Sequence, residues 1–345
     1  DAARWADVTA GVDLTGVAVP SQTGNADRAL FTDGTNLAFR KTPYIARSTD
    51  EVNAGVIPTD YSYPVGHVRR YGATGDGTTN DYIAFNNALL ARADGGVVLV
   101  DDGNFRINSP LRIPGAGITI QGNGMWRTVI DYNGSASSII RANVLGSSNA
   151  YIFVRDLAIL PNNASDVCVD FSSISNGAVE RVRIWGGVSF AARQSTGVLL
   201  SASSASCYAN VIRDCDIQYC TAAVRITAGA NANRIYGGQL QSSTDGILID
   251  GTLSDDILVH GVRIENNVDA VDVSDFRLLR FIANRFEKNA DGTYGLRITG
   301  GSTSYPPCLL QANFFTGYAG GNDIITAGIT GRLLREGEFS DSYND

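Results

Sequence analysis

From about residue 118 the chain alternates short apolar runs with clusters of Gly, Asn, Asp and Ser. Apolar residues recur two apart, as Val224/Ile226, Ile247/Ile249, Val271/Val273 and Leu296/Ile298, with Arg225, Leu248, Asp272 or Arg297 between them. A period of two is that of a strand with one face buried. The pattern also repeats over a longer interval. Four segments align: "DIQYCTAAVRIT" from Asp216, "QLQSSTDGILID" from Gln239, "RIENNVDAVDVS" from Arg263 and "RFEKNADGTYGLRIT" from Arg285. They set Ile217, Leu240, Ile264 and Phe286 in one column, with spacings of 23, 24 and 22 residues. Ile159, Ile184 and Phe315 extend the series, and the longer gaps 184–217 and 286–315 read as loops inserted into a regular coil.

A repeat of this length is too short for paired-helix solenoids, and the Leu/Asn signature of leucine-rich repeats is missing. Each copy contains two short strands parted by small or amide residues. One coil cannot bury its own apolar face, so the coils must stack. The prediction is an all-β chain forming a single-stranded parallel β-helix. Cys220, Ser243, Asn267 and Asn289 share one turn position, where their side chains are expected to form a ladder.

Upstream, "RRYGATGDGTTNDYIAFNNALLARADGGVVLV" (69–100) changes period. Tyr82, Phe85 and Leu89 fall at helical spacing, which predicts a helix over about 80–92 capped by Asn80. This short N-terminal helix is placed to cover the open end of the first coil, whose bare strand edges would otherwise invite aggregation. "GGVVLV" then reads as the first strand and "DDGNFRI" as the turn into the second. No lysine stands where a phosphate loop needs one, which excludes a nucleotide loop. The domain reading is 1–63 as hairpin and connecting arm, 64–335 as β-helix (cap 64–117, coils 118–335) and 336–345 as a polar tail. Asp33-Gly34 between short apolar runs marks the hairpin turn.

Composition narrows the function. The formal charge of −8 disfavours nucleic acid and anionic lipid as partners. The sequence has no apolar run long enough for membrane insertion. The odd count of five cysteines, in a chain of 345 residues, does not read as a disulfide framework. They read as core residues of a protein folded in a reducing cytoplasm. The chain starts without methionine or a signal-like segment, so it reads as a fragment or processed product.

The stretch "VRRYGATGDGTTNDYIAFNNAL…GGVVLVDDGNFRI…LRIPGAGITIQGNG" resembles the N-terminal signature of the pectate-lyase superfamily, in particular its bacteriophage tailspike and depolymerase branch. The likeness is close over about 64–130 and extends to 335 through coil architecture alone. It implies a right-handed β-helix, a homotrimer, and binding and cutting of bacterial surface polysaccharide. It also implies an N-terminal region that joins a virion tail, or a secreted, extracellular location. Fold alone does not fix activity.

Two outward columns carry the candidate chemistry: Asp245, Asp269 and Asp291, and Gln218, Gln241, Glu265 and Glu287. Acids on adjacent coils lie about 5 Å apart, near the carboxyl separation of retaining glycosidases. Repulsion between two stacked carboxylates raises one pKa, which suits a general acid. Asp245–Asp269 and Glu265–Glu287 are the candidate catalytic pairs of a glycoside hydrolase. The competing reading of Asp before Gly is turn chemistry. Trp185, Phe190, Tyr208, Tyr219 and Tyr305 are candidates for stacking on sugar rings, and Arg263 for binding substrate. The inserted segments 185–209 and 299–307 are the loops expected to carry recognition.

Polygalacturonase-like pieces occur in family order, as Thr244-Asp245-Gly246, Asp255-Asp256, His260-Gly261 and Arg263-Ile264. They crowd into one coil, however, and depart from the family at Ser243, Val259 and Glu265. With His67 and His260 the only histidines, a Ser-His-Asp triad has little material. No cofactor or metal is called for. A calcium-dependent polysaccharide lyase using Asp214 and Asp216, with Arg213 or Arg263 as base, and a non-catalytic trimeric receptor-binding spike are the alternatives.

Overall fold

The computed structural model describes residues 28–32, 37–41 and 44–340, apart from 136–137, 143–148, 162–166, 188, 190–191, 203–205, 251–253, 275, 289–292, 300–307, 319–323 and 327–332. Within these the chain winds as the expected parallel β-helix. Three parallel sheets run along its length. Sheet I stacks Gly96–Leu99, Ile118–Gln121 and the starts of Phe153–Pro161 and Ala178–Trp185, then Val211–Arg213, Arg234–Tyr236, Ile257–His260, Leu279–Ile282, Cys308–Gln311 and Leu333–Glu336. Sheet II stacks Asp76–Asn80, Gly103–Ile107, Thr128–Tyr132, the ends of the same two long strands, Asp216–Gln218, Gln239–Gln241, Arg263–Glu265, Arg285–Glu287, Phe314–Thr316 and Phe339–Ser340. Sheet III is a nine-stranded stack from Leu111–Arg112 to Ile324–Thr326.

The repeat column is a physical column. Ile184, Ile217, Leu240, Ile264, Phe286 and Phe315 are successive register partners in sheet II, each at most 1% exposed. Phe286 and Phe315 stack flat, with ring centroids 4.4 Å apart and planes 4° from parallel. Residues two apart in each strand drive these side chains into one continuous core.

Side-chain ladders close the turns. The Ser243 Oγ accepts from the Cys220 backbone N–H at 3.1 Å, Asn267 Oδ1 accepts from Ser243 N–H at 2.8 Å, and Asn267 Nδ2 donates to the Leu240 carbonyl at 3.0 Å. Asn289, the expected next member, lies outside the described residues. A second set of buried amides was not singled out from the sequence. Asn210 Oδ1 accepts from Gly177 N–H and Asn233 Oδ1 from Asn210 N–H, while Asn284 Oδ1 accepts from Val262 N–H and Asn313 Oδ1 from Asn284 N–H. Each supplies the acceptor that a buried turn amide would otherwise lack.

The corner between sheets I and II is one residue in the left-handed region. Asp214, Gly237, Gly261, Ala283 and Ala312 hold it at φ between 52° and 69°, and the N–H of each bonds the next coil. Glycine suits this conformation and alanine pays for its Cβ. Replacing Ala283 (φ 53°) by glycine is therefore expected to raise stability by about 0.5–1 kcal/mol, read as a shift in denaturant midpoint.

The cap differs in detail from expectation. The helix spans Tyr82–Leu90, and Asp81, not Asn80, takes the N-cap position. Asn80 still offers its Oδ1 to the Tyr82 N–H at 3.3 Å, while the Asp81 carboxylate accepts from the N–H groups of Thr74 and Gly75. Phe85, Leu89, Ala84 and Ala88 are the buried face, and Tyr82 is only partly buried. A strand at Asp76–Asn80 precedes "GGVVLV", and it was missed because "DGTTN" carries no apolar alternation.

The hairpin forms, with Arg28–Thr32 antiparallel to Leu37–Lys41, while its Asp33-Gly34 turn lies outside the described residues. Residues 44–63 are more than a tether. They dock on the cap through a fully buried ion pair in which Arg70 Nε lies 2.6 Å from Glu51 Oε1. Arg70 also donates to the carbonyls of Ile45, Ala46 and Tyr63. Glu51 accepts from Tyr71 Oη and from Ser48 N–H, closing a capping box on the short helix Thr49–Asn53. All five cysteines are free and buried, and burial pushes the thiols of Cys207, Cys215, Cys220 and Cys308 up to about 12.

Candidate functional site

Strand 245–250, a rung of sheet III, follows the Ser243 turn immediately, and its first residue directly faces the first residue of the next rung. Asp245 and Asp269 are register partners, as expected. The following rung offers Tyr294, while Asp291 lies outside the described residues. Asp272 joins the pair from the outward position between Val271 and Val273. Carboxylate oxygens of Asp245, Asp269 and Asp272 lie within 4.8 Å of one another.

One cation reaches two of them. Arg297, the register partner of Asp272, donates from Nε to Asp272 Oδ1 at 3.0 Å and from Nη2 to Oδ2, and its Nη2 is 3.2 Å from Asp269 Oδ2. Asp245 has no such partner among the described ion pairs. Burial first, then the charges of Asp269 and Asp272, push its carboxyl up to about 7 against the opposing pull of Arg297. Asp269 is also raised by burial, with Arg297 acting in the opposite direction. Its Oδ1 is buried and accepts no hydrogen bond. The cluster has the oxygen donors a hard cation would use, yet the Arg297 guanidinium already engages two of the three carboxylates. The arrangement thus sets Asp245, raised to about 7, beside Asp269, whose rise from burial is opposed by a guanidinium.

The second acid column is also in register, with Gln218, Gln241, Glu265 and Glu287 on consecutive rungs of sheet II. Glu265 points outward but is only 6% exposed, sealed by Arg263 Nε at 2.7 Å and Gln239 Nε2 at 2.9 Å. Glu287 is bonded by Arg285 Nη2 at 2.7 Å. Tyr318 is buried, and its hydroxyl is raised by burial and then by the charges of Asp269 and Glu287.

The aromatic candidates separate. Trp185 and Tyr219 stack, with centroids 5.8 Å apart and planes 16° from parallel. Tyr208, 42% exposed, bridges Asn231 at another corner of the coil. Tyr305 and Phe190 lie outside the described residues. Arg263 is committed to Glu265. Trp126 was missed: its ring receives the Arg183 guanidinium at 3.6 Å, a contact between residues on different coils.

The polygalacturonase-like pieces do not share a site, since Asp245 opens a strand of sheet III, His260 ends a strand of sheet I and Arg263 begins one of sheet II. Asp214 and Asp216 also part, because a corner residue (φ 52°) and a sheet II strand hold them. No helix among the described residues is long and apolar enough to cross a membrane.

A stacked-coil scaffold with an outward carboxylate cluster defines a parallel β-helix protein of the pectate-lyase type. The chain belongs to the rhamnogalacturonase A/epimerase, pectate lyase-like family, whose sequence profile matches residues 66–294. Comparison with curated proteins finds no match. Among solved structures the chain is similar to the A-module of Azotobacter vinelandii mannuronan C-5 epimerase AlgE4, at 16% identity over 79% of this chain and 98% of that one, with a TM-score of 0.44. It is similar to the N-terminal fragment of bacteriophage Phi29 gene product 12, at 13% identity over 81% and 71%, with a TM-score of 0.47. It is also similar to tailspike protein 2 of Escherichia coli O157:H7 bacteriophage CAB120, at 10% identity over 84% and 40%, with a TM-score of 0.45.

Proposed function

We propose that the protein binds bacterial surface polysaccharide and hydrolyses it, with Asp245 as general acid and Asp269 as nucleophile. The observation that carries this reading is the Asp245–Asp269 pair on adjacent rungs, with carboxylate oxygens within 4.8 Å. That spacing favours a retaining mechanism, whose carboxyl groups stand about 5–5.5 Å apart, over an inverting one that needs room for a water. Asp245 protonates the leaving oxygen and Asp269 attacks the anomeric carbon. Asp245, by then ionised, takes a proton from the water that releases the sugar. Glu265 and Glu287 are the weaker pair, because each carries its own arginine.

The resemblance of residues 64–130 to the tailspike branch of the superfamily is the ground for placing this activity on a virion tail or at the cell exterior, in a homotrimer with residues 1–63 towards the particle. A non-catalytic spike is the second reading, favoured by the tie of Asp269 and Asp272 to Arg297. For a lyase, Arg263 and Arg213 are the bases at hand, and both are engaged, with Glu265 and Glu180. Incubation with capsular polysaccharide and lipopolysaccharide separates these readings. We expect new reducing ends with retained anomeric configuration and no ultraviolet-absorbing double bond. An absorbing product means a lyase, and intact polymer with measurable binding means a spike.

A further inference from the structure

The outward face of sheet II is a two-column ribbon. One column runs Trp185, Gln218, Gln241, Glu265, Glu287, Thr316, and the other Arg183, Asp216, Gln239, Arg263, Arg285, Phe314. Aromatic side chains mark both ends, and no aliphatic side chain lies between them. At the first end the Arg183 guanidinium lies 3.6 Å from the Trp126 ring centroid and 4.3 Å from that of Trp185, and Trp185 stacks on Tyr219. The Arg183 side chain is 9% exposed and its Nε lies 3.5 Å from Asp216 Oδ2, whereas Trp126 is 69% exposed. The stack therefore presents a fixed indole to solvent.

Within the ribbon the polar groups are already ordered. Gln218 Nε2 donates to Asp216 Oδ1 at 2.7 Å, and Gln239 Nε2 donates to Gln241 Oε1 and Glu265 Oε2, both at 2.9 Å. Arg263 and Arg285 lie across their rungs against Glu265 and Glu287. The three arginines offset Asp216, Glu265 and Glu287, so the ribbon has no net charge. A protein partner would need an apolar centre depleted of charge, which this face lacks. A polyanion would find no net positive field and a chain of charge −8. A polyhydroxylated, uncharged ligand meets both demands, with an indole for the apolar face of a ring and repeated donors and acceptors for its hydroxyls.

We propose that this face is a binding track for a neutral glycan, with Trp126, on the Arg183–Trp185–Tyr219 stack, as the platform for one pyranose ring. The proposal shares only its ligand class, polysaccharide, with the reading above, and it does not need cleavage. The test is an array of bacterial surface glycans, neutral and acidic, probed with the full chain and with Trp126→Ala, Trp126→Phe and Trp185→Ala. We expect neutral glycans to be retained equally at low and high salt. Trp126→Ala should lose about tenfold in affinity at unchanged Tm, and Trp126→Phe should recover part of the loss. Binding unchanged in Trp126→Ala, capture of acidic glycans alone, or no glycan captured would each overturn it. If the platform variants lose binding while Asp245→Asn loses only cleavage, both readings stand. If Trp126→Ala binds and cleaves normally, the track fails and the chemistry survives.

Discussion

Asp245→Asn is expected to abolish polysaccharide cleavage, by at least about a thousandfold, while making the protein more stable at pH 8. Loss of a general acid removes about 10²–10⁴ in rate, and the amide cannot protonate a leaving oxygen. The stability gain follows from the sign of the shift. The Asp245 carboxyl is raised to about 7 in the folded chain, so its favourable contribution is complete below the ordinary carboxylate range and is lost as pH rises through about 7. At pH 8 the ionised group is held half-buried beside Asp269 and Asp272, and the amide relieves a penalty on the order of 1–3 kcal/mol after allowance for solvent contact. Wild-type cleavage should fall on the alkaline side with an apparent pKa near 7. Asp269→Asn should be as inactive, and added azide should not bypass Asp245→Asn without forming a glycosyl azide. A variant that cleaves normally at Asp245→Asn, or a flat pH profile between 5 and 8, removes this pair from the mechanism.

Arg70→Met should cost about 3–5 kcal/mol and release the segment 44–63 from the cap. The change leaves Glu51 wholly buried without its cation, which is the costly way to break such a pair. The Ile45, Ala46 and Tyr63 carbonyls lose donors at the same time. Burial alone would raise the Glu51 carboxyl, but the hydrogen bonds from Arg70, Ser48 N–H and Tyr71, with the Arg70 charge, bring it below its usual value. Its contribution is therefore present above the ordinary carboxylate range and lost on acidification through the lowered folded value. Replacing Glu51 and Arg70 together by apolar residues of similar volume should restore much of the loss. Limited proteolysis between residues 44 and 63 and a thermal melt measure both effects. Equal protection in Arg70→Met and wild type would show that the arm is held by other contacts.

The rungs were legible because Ile217, Leu240, Ile264 and Phe286 keep one phase over several repeats, and a core of constant width permits no other phase. Asp245 and Asp269 were legible for the same reason, being fixed two residues before Ile247 and Val271. Asp272 and Arg297 stood in one outward column of the sequence, yet nothing there said that the guanidinium reaches back to Asp269. That reach depends on side-chain conformation and not on period. Trp126 and Arg183 meet only because two turns of coil separate them in sequence and not in space, so no local pattern marks them. The short helix after Ser48 was missed although "STDE" carries its capping box, since five residues leave no apolar period to read.

Burying every thiol has a consequence for where such a molecule can work. Sulfur that is neither ionised nor reachable exchanges with no partner. The same covalent chain therefore persists when it passes from a reducing compartment into an oxidising medium, without a folding step that waits on an oxidant and without cross-linking to its neighbours.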